Sequence, residues 1–171
     1  LALSQSNFEF NHPYVLRAKN NLAISHRDAG NLEESERLLI EIVSVNDRDW
    51  RGNNPNALFY VNNLAVVQYL QGDYESGSAN FERALNKRIE VLGESHPATL
   101  MTKNNLADLH FALGEYGEAE SLANEAILGG AASLGDDHVD NAIYSATYAR
   151  LLYRNRSDKK VAIFYQKKAV N

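Results

Sequence analysis

The sequence predicts an all-α solenoid of stacked antiparallel helix pairs, and three recurrences carry that prediction. Asn20-Asn21-Leu22-Ala23 returns as Asn62-Asn63-Leu64-Ala65 and as Asn104-Asn105-Leu106-Ala107, 42 residues apart each time. Gly30, Gly72 and Gly114 keep the same spacing, and so do Pro13, Pro55 and Pro97, preceded by His12, Asn54 and His96. A fixed period of this length marks a repeat architecture. One helix pair cannot bury its apolar face alone, and about three stacked pairs share a continuous core.

Each unit reads as two helices. The first begins at Pro, whose missing N–H costs nothing in the first turn, with His or Asn before it in the capping place. It runs about 15 residues to the Gly, which ends a helix sharply by accepting positive φ. The second helix follows within two or three residues, over Glu33–Val43, Tyr74–Leu92 and Tyr116–Ala132. Acidic residues favour its first turn. Ala119, Leu122, Ala123, Ala126 and Ile127 fall on one helical face. Leu92-Gly93-Glu94-Ser95 and Leu134-Gly135-Asp136-Asp137 read as linkers, and Gly129-Gly130 as a break or bend. No window of six or more residues alternates like a strand.

The expected boundaries are 1–10 for the end of a preceding repeat, then 11–52, 53–94, 95–136 and a degenerate fourth unit over 137–171. In that fourth unit His138, Thr147, Tyr148 and Ala149 hold the repeat positions and Arg156 replaces the Gly. Its second helix, near Lys160–Ala169, fits two registers one residue apart. Leu1–Phe8 aligns with Leu85–Leu92, so the chain reads as a fragment without the polar capping helix that usually closes a solenoid.

The Asn-Leu-Ala run, the small residue in mid-helix and the aromatic after the Gly turn resemble a tetratricopeptide repeat. The 42-residue period and Leu92-Gly93-Glu94-Ser95-His96-Pro97-Ala98-Thr99-Leu100 resemble the kinesin-light-chain-like subfamily, whose second helices exceed those of the usual unit of about 34 residues. The resemblance implies a right-handed superhelix of antiparallel helix pairs forming a single domain, 1–171. Ala23, Ala65, Ala107 and Ala149 would let helices approach closely. Enlarging Ala65 to Leu would then cost about 1–3 kcal/mol. It also implies that the first helices line a concave groove. Arg17, Asn20, Asn21, Ile24 and Arg27 come from unit one, and Phe59, Asn62, Asn63, Val66 and Tyr69 from unit two. Unit three gives Met101, Asn104, Asn105, Asp108 and Phe111. Unit four gives Ile143, Thr147, Arg150, Tyr153 and Arg154. Leu22, Leu64 and Leu106 should point into the core.

A carboxamide both donates and accepts, so a column of Asn can hold an extended chain by its backbone. Each such bond is worth about 0.5–1.5 kcal/mol net. Related groove arrays use Asn this way. The same residues could instead bond only to a neighbouring helix and fix repeat geometry. Phe59, Tyr69, Phe111 and Tyr153 read as apolar pockets, although Tyr69 and Tyr153 could equally pack between units. The arginines match carboxylates on a ligand, or Arg150 and Arg154 form a solvated face.

The remaining composition narrows the function. A net charge of −5 over 171 residues argues against a nucleic-acid surface. The absence of Cys removes disulfides, thiolate metal sites and a cysteine nucleophile, and is compatible with a cytoplasmic location. No run reaches the roughly 20 apolar residues that cross a bilayer. His12, His96 and His138 recur at one place in successive units and read as caps rather than metal ligands. Glu33, Glu34 and Glu36 read as a solvated helix face, and Asp136-Asp137-His138 has too few ligands for a calcium loop. No phosphate loop, His-Glu-x-x-His run or nucleophile elbow is present. The sequence therefore predicts no enzyme, no cofactor and no metal. It predicts a module that holds an extended or short helical segment of a protein partner, with apolar anchors and acidic residues. The alternative is a structural or regulatory arm of a larger protein, associating with itself through its uncapped ends, Leu1–Phe8 or Val161–Val170, or filling its own groove.

Overall fold

The structure, a computed structural model, describes residues 12–48, 55–135, 138–155 and 159–169. These residues form eight helices and no strand. The first four are α1 (Pro13–Asp28), α2 (Leu32–Arg48), α3 (Pro55–Gln71) and α4 (Tyr74–Leu92). The others are α5 (Pro97–Leu113), α6 (Tyr116–Leu134), α7 (Val139–Asn155) and α8 (Lys159–Lys168). The chain divides into two compact units, Leu1–Asn80 and Phe81–Asn171, with a core in each.

The helix starts follow from the sequence. The Nδ1 of His12 accepts the amide of Tyr14 at 3.3 Å, that of His96 the amide of Ala98 at 3.1 Å, and that of His138 the amide of Asp140 at 3.2 Å. The three recurrent histidines are caps, each satisfying a donor that the first turn leaves open. A second device pins α5 and α7 to the linkers before them. Thr99 donates its hydroxyl to the Gly93 carbonyl at 2.9 Å, and Asn141, at the same repeat position, donates its amide to the Gly135 carbonyl at 2.5 Å. Asn54 and Asp136-Asp137 lie outside the described residues.

The helix ends agree with the Gly spacing. Gly114 takes φ 83° and donates to Phe111 O, while Glu115 N bonds His110 O; together these close α5. The second helices are longer than the sequence suggests, α2 running Leu32–Arg48 and α6 Tyr116–Leu134. The break expected at Gly129-Gly130 does not occur, because α6 passes through both. Those glycines mark close approach instead. A Cβ on Gly130 would lie 2.0 Å from Asn141 Oδ1 and 3.0 Å from the Tyr144 ring. The two registers of the fourth unit are resolved by α7 and α8. Helix α7 starts 42 residues after α5, and α8 starts 43 after α6. That shift puts buried Ala162 in the place of buried Ala119 and leaves Val161 at the surface. Arg156, which replaces the repeat Gly, and the segment Leu1–Phe8 are outside the described residues.

In residues 1–80 the buried core includes Leu16, Leu39, Ile42, Val61, Leu64 and Val67, with Ala23 and Ala65 fully buried. Ser35, also fully buried, donates its hydroxyl to the Ala23 carbonyl at 2.7 Å. In residues 81–171, Ala107, Ala119, Ala123 and Leu151 form one cluster, and Leu100, Ala126, Ile127 and Tyr144 another. Leu64 and Leu106 are buried as expected; Leu22 is not, being 49% exposed. No described element covers that side of α1.

Candidate functional site

On each first helix the expected groove residues separate into two rows, set by the helical repeat. One row is inside. Asn20, Asn62 and Asn104 are all buried, Asn104 to 2% exposure. The other row stays open and repeats every 42 residues. It holds Arg17, Asn21 and Ile24 on α1 and Phe59, Asn63 and Val66 on α3. On α5 it holds Met101, Asn105 and Asp108, and on α7 Ile143, Thr147, Arg150 and Arg154. Of these only Thr147 is buried. At the first place of the row a large apolar side chain faces solvent on three helices: Phe59, Met101 and Ile143 are 46%, 38% and 51% exposed. Tyr153 is exposed nearby on α7.

The two rows are joined by a carboxamide contact in residues 1–80. Asn63 Nδ2 donates to Asn20 Oδ1 at 2.8 Å, so the open-row Asn of one unit satisfies the buried-row Asn of the unit before it. In residues 81–171 that step is broken. Thr147 stands where Asn63 would be, its hydroxyl bonds Asp108, and the buried Oδ1 of Asn104 has no partner. A buried acceptor stripped of its donor costs about 1–3 kcal/mol. Asn63→Ala is therefore expected to destabilise residues 1–80 by about that amount, while Thr147→Asn, by supplying a donor to Asn104, raises stability. Urea titrations of the two variants should move the midpoint in opposite directions.

The aromatic residues split in the same way. Tyr69 packs against Tyr74 with tilted rings and centroids 5.9 Å apart, and Phe111 against Tyr116 in the same way at 5.5 Å. Each pair ties a first helix to the second helix beyond its Gly turn, and all four rings are half-buried. The arginines are partly engaged by the protein itself. Arg27 contacts Asp28 at 2.7 and 2.9 Å, and Arg17 lies over the Tyr14 ring at 5.5 Å. Arg150 donates to Asp108 and sits 4.8 Å from the Phe111 centroid. Arg154 is exposed.

Burial raises the Asp108 carboxyl above its usual value, against the opposing pull of Arg150 and Thr147. The unfolded chain loses this proton first as pH rises, so Asp108 lowers stability between its ordinary value and its raised one and remains a cost at neutral pH. Asp108→Asn should flatten the stability profile on the acid side and lose little at pH 7. Melting curves at several pH values would show it, and a large loss at pH 7 would mean that the Arg150 contact dominates.

Charged residues missed in the sequence are also buried. Lys103, 4% exposed, bridges Glu94 at 2.9 Å and Glu125 at 2.8 Å. Lys19 and Glu41, at 2.5 Å, occupy the places of Lys103 and Glu125 two units earlier. That 84-residue recurrence was the available signal. Arg88, 1% exposed, donates to the Ala98 carbonyl at 2.7 Å and to the Thr102 hydroxyl. Among the described residues no three metal-ligating side chains converge, and no helix is long and apolar enough to cross a membrane.

Comparison with known proteins agrees with this architecture. Two tetratricopeptide repeat profiles match, over residues 15–46 and 56–128. A search of curated proteins finds no match. Among solved structures, a protein of Podosopora anserina described as a putative kinesin light chain with nearly identical TPR-like repeats aligns at a TM-score of 0.74 and 21% identity. The alignment covers 98% of this chain and 79% of that one, and a single-substitution form of the same protein reaches 0.78 with the same identity and coverage. BtubC (BKLC) from P. vanneervenii aligns at 0.79 with 20% identity, covering 97% of this chain and 67% of that one. These likenesses establish the fold.

Proposed function

The chain belongs to the tetratricopeptide repeat family, whose repeats generally mediate protein–protein interaction, and we propose that its open row of first-helix residues binds an extended or short helical peptide of a protein partner. The observation that carries this reading is Met101 and Ile143 in residues 81–171, large apolar side chains exposed at one repeat position beside open-row polar residues; Phe59 holds the same position in residues 1–80. Burying such side chains against a ligand is favourable by about 25 cal/mol per Å². In residues 81–171 Asn105 adds backbone-pairing capacity and Arg154 favours acidic residues on the ligand; Asn21 and Arg17 offer the same chemistry in residues 1–80. In residues 1–80 the buried Asn20 holds the open-row Asn63 by accepting its amide.

Peptides selected by display against the chain test the reading. Asn105→Ala should weaken the selected peptides about 3- to 10-fold, the worth of one hydrogen bond. Met101→Lys should weaken them by about tenfold or more, by placing a charge at an apolar anchor. Helix content should not change, because neither side chain is in the core. Peptides bound equally well by both variants would move the site off this row. A second reading, an assembly arm of a larger protein, is favoured by Ile163 and Phe164 on α8, which are 50% and 62% exposed.

A further inference from the structure

Met101 is the one methionine of the chain, and because cysteine is absent its thioether is the only sulfur in 171 residues. It stands in the open row of α5, within residues 81–171, and is 38% exposed. The sulfur thus lies where the row presents an apolar anchor and where solvent reaches it. The same repeat position holds Arg17, Phe59 and Ile143, none of which carries sulfur.

A thioether is unbranched, polarisable and apolar, which suits it to an adaptable contact. It is also a two-electron reductant. Its sulfur donates a lone pair to one oxygen of hydrogen peroxide, and the S–O bond forms as the O–O bond breaks. The departing hydroxide takes the proton from the transferred oxygen and leaves as water. The product is a sulfoxide, polar and hydrogen-bond accepting.

A donor for that oxygen stands one turn along. Asn105 follows Met101 by four residues, so the two side chains are neighbours on one face of α5, with Cβ atoms about 5–6 Å apart. Helical side chains tilt towards the N-terminus, which carries the Asn105 carboxamide towards Met101. Asn63, at the same repeat position, is engaged with Asn20, and Thr147 with Asp108. The Asn105 amide is half-buried and donates to no other group among the described residues.

We propose that Met101 is an oxidation site whose sulfoxide closes the open row of residues 81–171. The sulfoxide oxygen accepts the Asn105 amide, so an apolar anchor and a backbone-pairing donor are withdrawn together, and reduction restores both. The effect on a ligand rests on the peptide-binding reading above; the Met101–Asn105 bond does not. Helix content should not change, because neither side chain is in the core.

Treatment of the whole chain with hydrogen peroxide tests it, with peptide mass spectrometry to place the added oxygen on Met101. Two readouts are taken before oxidation, after it, and after methionine sulfoxide reductases A and B, which between them reduce both epimers. In nitrogen-15 NMR spectra the Asn105 side-chain amide, identified by its disappearance in Asn105→Ala, should shift on oxidation and return on reduction, while that of Asn21 stays in place. Binding of display-selected peptides should weaken about tenfold or more, the loss of one donor and one apolar contact. Met101→Leu, an apolar anchor without sulfur, should bind as the wild type does before and after peroxide. The proposal is overturned by a Met101 that gains no oxygen, by an Asn105 amide that does not move, or by an oxidised chain that keeps its affinity for peptides that Met101→Lys weakens. Peptides untouched by Met101→Lys would instead remove the peptide-binding reading, and the Asn105 amide would then decide alone: a reversible shift upholds the oxidation site, and an unchanged signal overturns it.

Discussion

A Gly130→Ala chain should unfold about 1–3 kcal/mol more easily than the wild type, the usual cost of forcing extra volume into a packed contact. The direction is opposite to what helix propensity alone would give, since Gly→Ala inside a helix gains up to about 1 kcal/mol. Gly130 is buried in mid-helix, and the added methyl would meet Asn141 Oδ1 at 2.0 Å and the edge of the Tyr144 ring at 3.0 Å. Neither neighbour can retreat easily. Asn141 is anchored to the Gly135 carbonyl, and Tyr144 is 1% exposed within a closed cluster. Two other glycines of the same helix are internal controls. Gly117 has open space around it, so Gly117→Ala should be neutral or mildly stabilising. Gly129 would meet the branched end of the Leu100 side chain, at 2.6 Å; Leu100 is buried in the same cluster as Tyr144 but is smaller and not hydrogen-bonded, so Gly129→Ala should fall between the two. Urea denaturation followed by far-ultraviolet circular dichroism, with equal slopes for the three variants, would rank them. A Gly130→Ala chain as stable as Gly117→Ala would remove the close approach from the account of the fold.

The same glycine shows what was legible in the sequence. The 42-residue recurrence of Pro, Asn-Asn-Leu-Ala and Gly fixed the helix pairs, because each of those residues has a local job: starting a helix, packing closely or ending it. The histidine caps were legible for the same reason, needing only contact two residues along the chain. Gly129-Gly130 looked like a break because glycine is a poor helix former, and the reason it is there lies on α5 and α7, far away in sequence. Leu22 was misplaced because burial at a repeat position needs a neighbouring element as well as the motif, and no described element covers that side of α1. Within the candidate site, the sequence identified first-helix positions but not the division between a buried and an open asparagine row. That division depends on the Asn20–Asn63 contact across 43 residues. Nor could it show that Arg150 has a carboxylate and a ring of its own, Asp108 and Phe111, one unit back.

Arg88→Gly should cost about 2–5 kcal/mol, in the range of large-to-small substitutions at closed sites, and much of the loss should return when Thr102→Tyr is added. Arg88 occupies on α4 the place that Gly130 occupies on α6, and Thr102 on α5 the place of Tyr144 on α7. Each junction thus pairs one large side chain with one small one, with the sizes exchanged. At the α4–α5 junction the long arginine crosses to the first turn of α5 and donates to Ala98 and Thr102. Burial pulls its pKa down to about 10, so it is still charged at neutral pH and depends on those acceptors. Deleting it removes both the filled volume and a charge-assisted bond. At the α6–α7 junction Gly130 leaves the room that the Tyr144 ring takes. Thr102→Tyr alone should overpack against Arg88. The double variant copies the other junction, and a double-mutant cycle should show a favourable coupling of about 1–3 kcal/mol, as expected of residues in contact. Rescue should be incomplete, because the Tyr144 hydroxyl is itself buried without a partner, its pKa pushed up to about 12, and a tyrosine at 102 would inherit that cost. Additive losses would mean that the two junctions pack by unrelated rules and that their shared 42-residue phase fixes helix positions without fixing the contacts between them.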